Sequence, residues 1–340
     1  MTSISALAGS RQVGGMLGNT ERFVVTQTDS QETFVDNHGP YQKDGNALKT
    51  RYLGRCLVMG TGQGYLIEHA TDNSHILEQD TPKEVAEKLF ETTNGREYGT
   101  KGLSFIVAGN DGKTSEIYHV HASPKKSRRV SGPVGWIFDG SGARLMRPAF
   151  ERDIKNGALN LNMGTLQMSM ADLISYQWNL GDNAANDIGV NDRWEVGLVT
   201  PDKIRTLISP TVPLWSTALE EYIQLNLGVN VTDSEKMGPF WGVMNDLHHA
   251  IEIGCRRLGQ ADYRLNQTFG NQKYRPAGNR VDELIKSKLS ERDEERRKLG
   301  VLVDAWYSGE LETVVTALDM FSDERKTMRT KAVEIARQAA

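Results

Sequence analysis

What most constrains the fold of this chain is a change of character near Thr200-Pro201-Asp202. Before it, short strand-like runs bounded by Gly and polar turns alternate with two long helical stretches. After it, residues 214–260 and 281–340 read as strongly helical, punctuated by Pro210, Pro213, Pro239 and Pro276. The first part calls for an α+β fold of antiparallel sheets with helices packed outside. The second reads as a helical extension that packs on the first part, mediates assembly or docks a partner. The expected division is therefore 1–205 and 206–340. With 340 residues, 38% of them hydrophobic, the chain can bury a large core and form more than one structural unit.

Several elements are readable locally. Thr2 to Ala8 is a strand-like run, and Phe23 to Ser30 is a β-branched strand entering a polar turn. Leu48-Lys49-Thr50 precedes a second apolar strand, Cys56 to Gly60. That strand ends in Gly60-Thr61-Gly62-Gln63-Gly64 and passes into a helix-like segment from Tyr65 to Ala70. Thr81, Pro82 and Glu84 form a helix start, with Thr81 as N-cap and Val85, Leu89 and Phe90 as the apolar stripe. A second helix is expected from about Met168 to Asn186, starting at Ser169, with Met170, Leu173, Ile174, Trp178 and Leu180 at near-helical spacing. Asn266 to Asn279 is polar and Gly-rich and reads as a loop. Glu283 to Arg297 reads as a solvated, mixed-charge helix face.

Thr2 carries the candidate chemistry. Small second residues such as threonine permit removal of Met1. A threonine at a free N-terminus holds a nucleophile and a base on one residue. Its hydroxyl attacks, and an α-amine with a reference pKa of about 7.7–8.0 takes the proton near neutral pH.

The order of motifs resembles the proteasome β-subunit family of N-terminal-nucleophile hydrolases over about residues 2–200. The matching features are the Thr2 strand, the strand ending in Thr28-Asp29, Lys49, and the strand closing at Gly60 before a helix. Phe105 to Asp111 followed by Ile117 to Val120 looks like the family's central hairpin, and Asp139-Gly140-Ser141-Gly142-Ala143 like its Gly-Ser-Gly signature. Ala184 to Asp187 and then Trp194 to Thr200 look like its late Asp and final core strand. The nearest comparison is the bacterial proteasome-related homologues, which begin Met-Thr. Two features depart from the family pattern. The Thr2-to-Asp29 stretch is longer, with Gly14 to Asn19 as an extended turn, and Gly189, Val190 and Asn191 stand where the family has a Ser after the late Asp.

The resemblance implies a four-layer αββα sandwich and assigns roles. Thr2 is the nucleophile and its α-amine the base. Lys49 sits close to the hydroxyl and stabilises developing negative charge, with Lys43 as a rival in the same loop. Asp29 pairs with Lys49. Gly60, or alternatively Gly62, offers an N–H to the oxyanion. Ser141 hydrogen-bonds near the terminal amine, and Asp187 supports both. The implied activity is that of a threonine peptidase working through an acyl-enzyme, without a cofactor. The implied assembly is a homo-oligomeric ring or spiral that takes peptide or unfolded protein, with an unfoldase as a possible partner. The competing readings are a non-catalytic assembly protein that keeps the fold and an amidase acting on a small non-peptide substrate.

Other patterns narrow the class. A net charge of -4 gives no electrostatic case for nucleic acid. Cys56 and Cys255 form neither a metal spacing nor a disulfide framework, which points to a reducing compartment. No apolar run approaches a membrane span and no signal is visible, so a cytoplasmic protein without membrane contact is expected. His119 and His121 share one strand face but have no companion ligands, so no metal site is expected, and His248-His249 point apart. Lys125-Lys126-Ser127-Arg128-Arg129 reads as a hairpin loop. Gly60 to Gly64 lacks the Gly-Lys-Ser/Thr of a phosphate loop, and no Gly-x-Ser-x-Gly elbow occurs.

Overall fold

The computed structural model describes residues 3–13, 19–29, 31–36, 39–46, 49–94, 103–122, 129–185, 193–212, 214, 216–272 and 279–339. It separates into two compact units, Met1–Leu173 with Leu180–Leu214, and Ile174–Asn179 with Trp215–Ala340. The division expected at 205 falls inside a strand, Ile204–Leu207.

In the first unit, β1 (Ser3–Val13) and β2 (Asn19–Asp29) form a long antiparallel ladder from Ile4↔Thr28 to Val13↔Asn19. The other edge of β2 pairs antiparallel with β13 (Trp194–Val199), which pairs with β14 (Ile204–Leu207). The other side of β1 carries β10 (Trp136–Gly140), antiparallel, and further along β12 (Thr165–Gln167), which pairs with β11 (Leu161–Asn162). A second sheet runs in antiparallel order through β5 (Thr50–Leu53), β6 (Cys56–Thr61), β7 (Ser104–Asn110), β8 (Ser115–His121) and β9 (Arg129–Ser131). A separate hairpin joins β3 (Gln31–Asp36) to β4 (Gly39–Asn46). Lys43 therefore lies on a strand and not in the expected loop.

Every residue of β6 and β7 is buried, as expected for strands covered on both faces. Successive side chains alternate between those faces. One set, Leu57, Met59, Ile106, Ala108 and Ile117, meets Ile4, Ala6, Ala8 and Val24 of the first sheet in a single core. The other set, including Val58, Phe105, Val107 and Val120, packs against α1 (Gly64–Asn73) and α2 (Pro82–Thr92) through Leu66, Ala70, Val85 and Leu89. The α2 start is a capping box: Thr81 Oγ1 accepts the Glu84 N–H and the Glu84 carboxylate accepts the Thr81 N–H. On the first sheet, Phe150 of α3 (Ala143–Lys155) packs against Trp136 and Phe138, with ring centroids 5.3 Å apart in both pairs. The sequence reading missed α3 because Pro148 lies inside it. The next helix, α4 (Met170–Ala184), starts where expected, with Ser169 Oγ accepting the Asp172 N–H.

The second unit is helical: α5 (Ser216–Leu227), α6 (Met237–Gln272), α7 (Asn279–Ser308), α8 (Leu311–Asp319) and α9 (Lys326–Ala339). Phe240, Met244, Leu247, Ile251, Cys255 and Leu258 recur at helical spacing along α6 and are all buried. Trp306 of α7 donates its indole N–H to Asn226 Oδ1 at 2.9 Å. Within this unit the Ile174–Asn179 segment is fixed on α6, where Cys255 O accepts from Ser175 Oγ and Asn179 Nδ2. The loop expected from Asn266 is helical as far as Gln272. Buried Leu265 anchors that turn, and a glycine in an established helix costs only about 1 kcal/mol. Residues 273–278 lie outside the described residues.

Candidate active site

Strand register gathers polar residues at one edge of the first unit. Ser3 is level with Gly140, Asp29 with Trp194, and Glu195 with Thr28. From the second sheet, Thr50 is level with Met59, so Lys49, one residue earlier, comes alongside Gly60. Asp29 has no solvent exposure. Its Oδ1 accepts the Ser3 N–H at 2.7 Å and its Oδ2 lies 3.1 Å from Lys49 Nζ. Burial pushes the Asp29 carboxyl up, while Lys49 and the Ser3 N–H pull it back down. The Ser3 hydroxyl donates to Met146 Sδ at 3.2 Å.

Glu195 joins this cluster from β13, and sequence reasoning did not single it out. It is 2% exposed. Its Oε1 and Oε2 both lie 3.3 Å from the Lys49 amide nitrogen, and Oε2 accepts the Thr50 N–H at 3.2 Å. Burial pushes the Glu195 carboxyl up to about 8 against the opposing pull of these donors and of the Lys49 charge. One local signal existed: Glu195 is the lone charge in Trp194-Glu195-Val196-Gly197-Leu198-Val199, a strand buried at every position.

A second polar group braces the turn that carries Ser141. Asp139 Oδ2 accepts from Ser104 Oγ at 2.5 Å and lies 3.1 Å from His119 Nε2, while Asp139 Oδ1 accepts the Gly140 N–H at 2.7 Å. Ser104 Oγ is also 2.7 Å from the same His119 nitrogen. Burial acts to raise the Asp139 carboxyl, but bonds from His119, Ser104 and Gly140 outweigh it and bring it down to about 2. This brace ties β10 of the first sheet to β7 and β8 of the second, directly before the turn. Ser104 and Asp139 converge on one nitrogen of His119, so the three do not form a relay through opposite ring nitrogens. His121 stacks on His119 with centroids 5.9 Å apart, and no metal-holding group of three or more His, Cys, Asp or Glu occurs among the described residues.

Of the residues singled out from sequence, Asp29 and Lys49 meet directly. Ser141 follows Gly140, which holds a φ of +80° that favours glycine. Gly60 is buried in β6, where a Cβ would lie 2.7 Å from Ile67 Cγ2, so glycine there lets α1 approach the sheet. Gly62 has a φ of +129°. Thr2 and Asp187 lie outside the described residues, as do residues 186–192 and the Lys43 side chain. Cys56 and Cys255 are buried and form no disulfide, and burial with the Asp80 charge pushes the Cys56 thiol up. No helix among the described residues is long and apolar enough to cross a membrane.

No family model and no curated protein matches the chain. Among solved structures it is similar to eukaryotic HslV from Trypanosoma brucei, at 14% identity and a TM-score of 0.39, over 59% of this chain and 99% of that one. It is also similar to an Anbu mutant from Hyphomicrobium sp. strain MC1, at 11% identity and a TM-score of 0.41, over 61% of this chain and 86% of that one.

Proposed function

We propose that this chain is an N-terminal threonine hydrolase, a proteasome-like peptidase in which removal of Met1 frees Thr2 to form an acyl-enzyme. One observation carries the reading: a buried carboxylate, Asp29, holds the amide that joins Thr2 to Ser3 and, with its other oxygen, the Lys49 ammonium. The Asp29 carboxylate thus links the first described amide of the chain, Ser3 N–H, to the Lys49 ammonium. The Thr2 hydroxyl attacks a peptide carbonyl and its proton passes to the α-amine. The amine returns that proton to the leaving amine, then activates the water that hydrolyses the ester. Lys49 and an N–H of Gly60 or Gly62 stabilise the negative charge that develops. Ser141 and Asp187 hold the amine. In this reading the two sheets and the helices packed on them form a four-layer αββα sandwich. The protein is a homo-oligomeric ring or spiral that acts on peptides or unfolded chains, fed where needed by an unfoldase.

The test is intact mass spectrometry of the purified protein treated with a peptide epoxyketone. The expected result is a chain without Met1 that takes up one adduct at Thr2, and a Thr2→Ala variant that takes up none. Retained Met1, or labelling that survives Thr2→Ala, would refute the assignment.

A further inference from the structure

Three side chains from three strands meet just before the turn that carries Ser141: Ser104 of β7, His119 of β8 and Asp139 of β10. The strand register sets them at the polar edge. Ser104 is level with Thr61, one residue past Gly60, and Gly140 is level with Ser3, whose N–H Asp29 accepts. Their hydrogens can be counted. Asp139 Oδ2 lies 2.5 Å from Ser104 Oγ and 3.1 Å from His119 Nε2, and Ser104 Oγ lies 2.7 Å from that same nitrogen. Two oxygens come this close only with a hydrogen between them, in the range of about 2.5–2.7 Å usual for a hydroxyl on a carboxylate. The serine has one hydrogen to give, and its contact with Val120 O is longer, at 3.2 Å, so the hydrogen goes to Asp139. His119 Nε2 then faces two acceptor oxygens, and a bare lone pair there would be repelled by both. The nitrogen therefore carries a hydrogen, shared between Ser104 Oγ and Asp139 Oδ2. The opposite arrangement, in which a protonated Asp139 donates to Ser104 and Ser104 to a bare Nε2, puts the proton on the weaker base. The reference pKa is about 3.9 for that carboxyl against about 6.5 for the imidazole.

We propose that His119 is a positioning residue: its Nε2–H and the Ser104 hydroxyl together pin the Asp139 carboxylate, which fixes the Gly140-Ser141 turn beside the N-terminal strand. The two donors occupy Oδ2, and Oδ1 accepts the Gly140 N–H at 2.7 Å, so both carboxylate oxygens are held as acceptors. Gly140, the residue so held, has the φ of +80° that turns the chain toward Ser141. The proposal rests on the threonine-hydrolase reading for its consequence, since in that reading Ser141 holds the terminal amine. Its chemistry rests on the hydrogen-bond geometry alone. That geometry makes exacting demands on replacements. An asparagine at 139 turns an N–H toward groups that are themselves donors. A glutamine at 119 carries its amide N–H out to the place of Nε2, whereas an asparagine stops at the place of Nδ1.

The test pairs proton–nitrogen NMR of the histidine rings in the full, ¹⁵N-labelled chain with epoxyketone labelling rates. His119→Gln identifies the His119 signals by their loss. The expected ring carries a hydrogen on Nε2 throughout about pH 5 to pH 8, whether or not Nδ1 is also protonated. His119→Gln should label within about threefold of wild type, because one neutral N–H donor replaces another. His119→Asn and the isosteric Asp139→Asn should label about 100-fold more slowly, as expected when a catalytic group is misplaced by about 1 Å. A role in stability alone would lower the urea midpoint of both histidine variants and leave their labelling rates alike. A bare Nε2 in wild type overturns the proposal whatever Thr2 does. So does a folded His119→Gln that labels as slowly as His119→Asn, or a His119→Asn and an Asp139→Asn that both label at the wild-type rate. If trimmed wild type takes no label, the hydrolase reading fails, and the Nε2 hydrogen alone still decides whether His119 pins Asp139.

Discussion

Each unit sets a cation against carboxyl groups, Lys49 partly buried and Arg329 fully buried, and the two handle it differently. In the first, Lys49 lies against Asp29, with Glu195 on its backbone, so two carboxyls share one segment. In the helical unit, Arg329 of α9 is 1% exposed. Its Nε lies 3.1 Å from Asp319 of α8, its Nη1 faces Asp246 of α6 at 3.8 Å, and its Nη2 donates to Ser322 O and Glu324 O. A guanidinium keeps its proton across the working pH range, so the cation of this second site is fixed, although burial raises the Asp246 carboxyl it faces. Carboxyls raised by burial can take up protons, so the first site can redistribute charge. An adjustable charge suits chemistry, and a fixed one suits fastening helices together.

Removing each cation should separate these roles. Lys49→Ala is expected to slow epoxyketone labelling by about 10³-fold or more, because the developing negative charge loses its partner. Its effect on unfolding free energy should stay below about 2 kcal/mol, because Asp29, already pushed up by burial, takes a proton in the lysine's absence. Arg329→Ala should do the reverse. Breaking a buried pair from one side costs about 3–5 kcal/mol, read as a lower urea midpoint. If Lys49→Ala unfolds the chain as readily as Arg329→Ala, the lysine is a fastener too and the comparison collapses.

The contrast also marks where sequence reading stops. The capping box at Thr81 and the start of α4 at Ser169 are local, and both were legible because the residues that form them are neighbours. The expectation that Asp29 pairs with Lys49 came from the order of motifs, and the side chains do meet. The Glu195 site was not legible. Its partners lie on a segment far away in the chain, at the start of β5 in the second sheet, and the approach of the two sheets brings them together. The same holds for Ser104, His119 and Asp139, which come from three strands. The hairpin of β3 and β4 escaped because its strand-favouring run, Thr33-Phe34-Val35, is short and β4 carries Pro40, Asp44, Gly45 and Asn46, which strands disfavour. Arg329 escaped because a basic residue on an amphipathic helix ordinarily faces water, and its burial depends on carbonyls just before α9.

The finest distinction between the units lies in how stability depends on pH. The folded Glu195 carboxyl sits at about 8, above its ordinary value of 4.5, so between those values the folded chain holds a proton that the unfolded chain has released. Its contribution is therefore fully present below the unfolded value and is lost as pH rises toward 8. At about 1.4 kcal/mol per pH unit, wild type should lose on the order of 5 kcal/mol across that window, a loss absent in Glu195→Gln. Urea unfolding of both proteins at a series of pH values measures the difference directly. The Arg329 cluster should contribute much less to it, since a guanidinium as such carries its charge across that window. Parallel stability curves for wild type and Glu195→Gln would mean that Glu195 carries its charge throughout. The long bonds it accepts would then reflect strain at the start of β5, and both units would hold their buried charges as fixed fasteners.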